Sequence, residues 1–329
     1  MLLLTTAAPQ FLHPAPSLAG EWISPAVIPW GVLLPYLTGT VILVIGLYTV
    51  RKEFASERGL GKIAALGAVC LAVPISVFGT EHFTAAKILA GMVPGWIPGH
   101  LFWALFVGAC LICAALSIAV RKYAGVAAAL LGLMILLFVF LIHIPNIVHA
   151  PATRLLWVVG LRDLAFSGGA LSVAATQTEP WVPWFRQRII LLARLFIGVP
   201  ITFLGVEQFL HPELAPGVPL EKLTPPWIPA HALWGYPTGA IFVVAGLCLI
   251  FNKEARRAAA WLGLVILLLV VAVYLPILLA NPSDIGTGLN YLMDTLLLSG
   301  SVLALAQALC GDSALELPQP EPVLAQNSS

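Results

Sequence analysis

The stretch VPISVFGTEHF at 73–83 reappears as VPITFLGVEQF at 199–209, and PGWIPGHLFW at 94–103 reappears as PPWIPAHALW at 225–234. Twelve of these twenty-one positions are identical. The offset is 126 in the first block and 131 in the second, so the later copy carries five additional residues around HPELAPGVPLEKL. Beyond that insertion the 131 spacing persists, matching Gly108 with Gly239, Gly132 with Gly263, Pro145 with Pro276, Pro151 with Pro282, Asp163 with Asp294 and Gly169 with Gly300. Self-similarity sustained over this distance reads as a tandem duplication.

The copies are written in membrane residues. Of 329 residues, 60% are hydrophobic and 9% charged, where a soluble domain has about 25% charged residues. That excludes a soluble globular protein, and a net charge of +1 gives no footing for nucleic-acid binding. The five cysteines are odd in number and four lie in apolar runs, so they imply no disulfide framework. A helix needs about 18 or more apolar residues to cross a bilayer, because lipid offers no partner for exposed backbone groups. Such runs fall near 32–50, 62–80, 99–119, 124–144, 162–177, 189–208, 231–251, 258–279 and 289–309, which predicts nine transmembrane helices.

Arg51 and Lys52 follow the first run directly, and cytoplasmic loops are enriched in Lys and Arg. Alternating sides from there places twelve basic residues inside and four outside, the four being Lys87, Arg154, Arg162 and Lys222. The prediction is a multi-pass protein of the cytoplasmic (inner) membrane, N-terminus out and C-terminus in. Its organisation reads as an outer segment 1–31, an extra transmembrane helix within 32–58, four-helix units at 59–178 and 179–310, and a disordered cytoplasmic tail 311–329. Each copy has an even number of crossings, so the repeat is parallel. Two four-helix bundles rich in Gly, Ala and Ser contacts are expected.

Gly-x-Glu-His-Phe at 79–83, VPGWIPGH at 93–100, a helix ending in Arg121-Lys122 and another ending at Pro145 resemble the DoxX-like membrane family. The resemblance covers roughly 60–177 and, more weakly, 189–309, where Gln208 replaces the His of the first copy. It implies a four-helix unit and, for some members, an association with quinone-linked sulfur oxidation.

Ionisable residues at membrane depth are costly and invite a functional reading. Glu81, His82, His100, His143, His149, Arg162 and Asp163, with Trp103, are expected together at the outer interface of the first unit. Glu207, His231, Trp234 and Asp294 are their counterparts in the second, with an unmatched His211. Residues present in both copies suit a shared scaffold, whereas His82, His143, His149 and Arg162 differ between copies, so that the plain reading is solvated interface histidines and a single site, if there is one, falls in the first copy. A metal site is disfavoured because the spacing matches no compact ligand motif, and a haem site because two His would both have to point inward. A quinone head group held by His100 and His143 and lined by Phe83, Trp96 and Trp103 is the cofactor-type ligand the pattern allows.

No nucleotide-binding or catalytic motif occurs. The expected function is an accessory or redox-associated subunit near the quinone pool, contacting lipid and other membrane subunits, with an outward-facing polar pocket. The alternatives are a small-solute carrier, against which stands the expected lack of ionisable residues near the midplane, and a membrane-protein assembly or structural factor.

Overall fold

The computed structural model describes residues 29–176, 182–218, 220–230 and 233–313. Most of the expected outer segment and of the expected tail lies outside the described residues. Among those described, the regular structure is helical, and the only β contact is an isolated bridge between Leu214 and Leu223. Eight spans are long and apolar enough to cross a membrane: Trp30–Ser56, Leu60–Thr84, His100–Val120, Ala124–His149, Arg154–Thr176, Pro183–Leu210, Ala255–Ala280 and Ile285–Cys310. A further apolar helix, Gly235–Ile250, has 16 residues, and it corresponds to the longer run expected at 231–251.

The helices are α1 (Trp30–Ser56), α2 (Leu60–Ala65), α3 (Gly67–Thr84), α4 (Ala86–Ala90), α5 (His100–Val120), α6 (Ala124–Phe138), α7 (Ile144–His149) and α8 (Arg154–Thr176), followed by α9 (Pro183–Leu210), α10 (Gly235–Ile250), α11 (Ala255–Leu269), α12 (Leu275–Ala280) and α13 (Asn290–Ser313). Two turns of π-helix, 139–143 and 270–274, join α6 to α7 and α11 to α12. Each precedes a proline, Pro145 or Pro276, that sits in the first turn of the following helix, where its missing N–H costs nothing. The chain reverses between α5 and α6 through left-handed Arg121 and Tyr123, and between α10 and α11 through left-handed Asn252 and Glu254. These non-glycine residues have φ values of 51–60°, an uncommon conformation. It recurs at the same 131-residue spacing as the sequence motifs.

Burial separates a central layer from a periphery. The α13 span is 89% buried over its most apolar window, whereas α1 is only 22% buried. The expected pair of separate four-helix bundles does not form. Instead α13, last helix of the second half, packs on α3, first long helix of the first half, and α8 packs correspondingly on α9. Glycine makes both contacts possible. A Cβ at Gly67 would lie 2.5 Å from the Ala304 amide nitrogen, and one at Gly300 would lie 2.5 Å from the Leu71 nitrogen. Gly168 meets Ala193, Phe196 and Ile197 of α9 in the same way. Without a side chain at these positions the backbones approach closely enough for van der Waals contact to hold helices together in lipid. The two halves are thus interlaced through α3, α8, α9 and α13. The α5–α6 and α10–α11 pairs flank that centre, and α1 lies along α3, with Thr80 donating to the Thr38 hydroxyl at 2.8 Å.

Candidate functional site

The predicted span 162–177 starts too late, because α8 begins at Arg154. The apolar run LLWVVGL at 155–161 carries the helix through the position where the charged pair appears to end it in sequence. Arg162 and Asp163 therefore lie near the middle of α8, whose centre falls at residue 165, and Asp294 lies close to the middle of the Ile285–Cys310 span. At about 1.5 Å per residue, all three lie within roughly 3–6 Å of their helix centres along the axis. These three groups thus stand near the centres of their helices rather than at the helix ends where the sequence suggested them.

These groups form one chain across the junction of the two halves. His143 Nε2 is 2.8 Å from Asp163 Oδ2. Arg162 donates from Nε and Nη2 to Asp163 Oδ1 at 3.1 and 3.0 Å, and from Nη1 to Asp294 Oδ2 at 2.5 Å. Their side chains are 9–16% exposed. The π-turn 139–143 aims His143 inward, and Gly160 on α8 leaves space for it, since a Cβ there would sit 3.2 Å from His143 Cβ. The Arg162 guanidinium also lies over the Phe166 ring, 5.5 Å from its centroid.

At the outer edge of this chain, Glu81 Oε1 and Asn290 Oδ1 are buried with no hydrogen-bond partner among the described residues. Glu81 is close enough to Asp294 for the two carboxylates to repel. Asp163 and Asp294 thus share one guanidinium, with His143 on Asp163 and the Glu81 carboxyl beside Asp294. A second ion pair crosses the same junction: Arg154 donates from Nη1 to Glu207 Oε2 at 3.2 Å and from Nη2 to the Leu220 carbonyl.

The second half is closed above the chain. The additional residues of 211–223 fold inward, burying Leu214, Ala215, Val218 and Leu220. Gln208 donates from Nε2 to the Leu214 carbonyl, accepts from the Gly217 amide, and so ties this loop to α9. Tyr274, which occupies the position of His143 in the later copy, donates to the Pro216 carbonyl at 3.0 Å. Asp284 accepts from the Thr287 amide at 2.9 Å and from its hydroxyl at 2.5 Å. Burial opposes its ionisation, but these bonds outweigh burial and hold its carboxyl below the ordinary range.

The remaining expected residues are not gathered into the chain. His82 is bonded through Nδ1 to the Phe78 carbonyl of its own helix. His100 is half-buried at the start of α5, His149 is exposed, and the exposed Trp103 donates to the Pro98 carbonyl, as Trp234 does to Pro229. His231 lies outside the described residues. Among the described residues, the set divides between the charge chain, which reaches Asp294 of the second half, and side chains bonded within their own helix or loop.

Hydrogen bonding also revises the matching of the fourth helices. Ser167 donates to the Gly132 carbonyl and Ser299 to that of Gly263, while Gly168 and Gly300 make equivalent approaches to α9 and α3. The spacing is 131 for the glycines accepting these bonds and 132 for the serines. The π-turn 285–289, at the start of the last span, accommodates the one extra residue. In this register Arg162, not Asp163, corresponds to Asp294, so one position of the two halves meets itself across the centre with opposite charge.

Missed at the sequence level were Asn290, Arg154 as partner of Glu207, and the bridging of halves by Arg162. The available signal was the short list of basic residues outside: three of the four, Arg154, Arg162 and Lys222, are held by protein partners. Compared with family models, curated proteins and solved structures, the chain shows no significant match.

Proposed function

We propose that the chain is a nine-helix membrane carrier for a small solute, built by duplication of a four-helix, DoxX-like unit, and that its transport is coupled to protons or to a cation at the His143–Asp163–Arg162–Asp294 chain. The observation that carries this reading is the position of Arg162, Asp163 and Asp294: charged groups near the centres of their helices, on the junction of two matched halves. Carriers built from repeats bind substrate and coupling ion at that location. Two carboxylates on one arginine, with the Glu81 carboxyl close to one of them, leave negative charge in a low-dielectric setting, which a proton on His143 or a carboxyl, or a bound cation, offsets. Matched left-handed turns, matched π-turns and the exchanged fourth helices support the duplication. The excess of Lys and Arg on one side supports an inner-membrane orientation with the N-terminus out.

Reconstitution into vesicles containing a pH-sensitive dye tests this. A panel of inorganic and small organic cations should include at least one that drives proton movement in the wild-type protein. Asp163→Asn and His143→Gln should each reduce the rate tenfold or more. Full activity in both variants, or silence of the folded wild type across the panel, would sink the proposal.

One observation favours the redox-associated reading instead. Phe102, Trp103 and Phe106 form an exposed ring cluster with centroids 5.4–5.9 Å apart, next to half-buried His100. Such a lipid-facing aromatic surface suits a quinone or a neighbouring subunit, and quinone retained through purification in wild type but lost in Trp103→Ala would identify it.

A further inference from the structure

A cavity lies at the opposite end of the molecule from the charge chain, at the face holding most of the Lys and Arg. It has a volume of about 570 Å³ and is walled by α2, α11 and the end of α13, so it too spans the junction of the halves. Three arginines line it, Arg58, Arg256 and Arg257, together with Glu254, while the Glu57 carboxyl lies behind the wall beside Gly61 and Arg256 reaches the Cys310 thiol. Glu254 pairs with Arg257 at 3.0 Å. Among the described residues, Arg58 and Arg256 have no carboxylate within 4 Å. The cavity also takes in the first turn of α11, whose N-terminus has no side-chain cap and so presents free amides and the positive end of the helix dipole.

The matched half shows that this arrangement is not a requirement of the scaffold. In the register above, Arg58, Arg256 and Arg257 correspond to Trp184, Gly125 and Val126, none of them charged. Leu60, in the cavity wall, corresponds to Arg186, which donates to the Ala175 and Ala308 carbonyls at 3.0 Å and occupies the equivalent corner with its own guanidinium. One corner is therefore filled by an arginine that bonds helix ends, and the other is left open with arginines turned toward it.

We infer that this cavity is a binding site for a phosphate ester, held by Arg58 and Arg256 with the α11 amides. Guanidinium forks match phosphate oxygens two at a time, and a helix N-terminus adds donors aimed at the same anion. The volume falls within the range of small-ligand sites and accommodates a glycerophosphate. The same chemistry is offered by the headgroup of an anionic phospholipid in the adjacent leaflet and by a soluble phosphate ester. The site does not depend on the carrier reading.

The test uses the full chain. Thermal stability is followed in detergent with added glycerol 3-phosphate and inorganic phosphate, and in nanodiscs of phosphatidylglycerol against phosphatidylcholine. The expected result is saturable stabilisation by glycerol 3-phosphate, by phosphatidylglycerol, or by both. Response to the lipid alone assigns the headgroup, and response to the soluble ester assigns a free ligand. Arg58→Gln/Arg256→Gln should weaken the response at least tenfold while leaving the unliganded melting temperature within a few degrees, because both side chains are exposed. Arg58→Glu alone should weaken it at least as far as Arg58→Gln does. Absence of saturable stabilisation, a response unchanged by these substitutions, or a response seen only after removal of 314–329 would overturn the proposal, the last by assigning the cavity to the chain's own acidic end.

Discussion

Arg162 is the residue on which the central charges depend, because it bonds Asp163 and Asp294 together. Removing one partner of a buried ion pair leaves an uncompensated charge, at a cost of about 3–5 kcal/mol. Arg162→Leu is therefore expected to destabilise the protein by an amount of that order, and by more than Asp294→Asn, which removes one of its two carboxylate partners and leaves the cation paired with Asp163. Melting curves in detergent decide this, and equal losses for the two variants would show that the arginine is not the keystone. The identities of His143, Arg162, Asp163 and Asp294 were all legible from the sequence. Their depth was not, because a charged pair inside an apolar run lowers local hydropathy and looks like a helix end. Only burial by neighbouring helices makes that pair tolerable, and a linear pattern does not report which helices are neighbours.

At the scale of elements, positions and kinds of helix followed from apolar run length, whereas the irregular turns did not. A π-turn has no sequence signature of its own in 139–143 or 270–274, yet it orients His143 in one half and Tyr274 in the other. The glycines were legible as packing residues, but not which helix each would meet. Gly300 and Gly286 separate these cases. Gly300→Val puts atoms into the α3 backbone and should cost about 1–3 kcal/mol by overpacking. Gly286→Ala, whose added methyl meets nothing within 4 Å, should leave the melting temperature unchanged or slightly raised. Equal tolerance of both would mean that α3 and α13 are not in contact.

For the whole molecule, the recurrence of prolines, glycines and the PxWIP element was readable, but the packing of α13 on α3 and of α8 on α9 was not, since other arrangements bury the same apolar faces. This packing implies that neither half is complete alone. Co-expressed chains divided within 177–181 should purify together in equal amounts, while the first half by itself should aggregate or be degraded. A first half that is stable and monodisperse in detergent would refute the interlacing. The 16-residue helix α10 carries a consequence of another kind. It spans roughly 24 Å, against about 30 Å of hydrocarbon in a typical bilayer, and it stands on the periphery beside α9 and α11, each embedded in longer apolar spans. If α10 crosses the bilayer, as the nine-helix proposal has it, lipid along that one flank has to thin to meet it. The protein would then sit in a lopsided depression, and thinner membranes, or neighbours able to relieve the deformation, would draw that flank toward them.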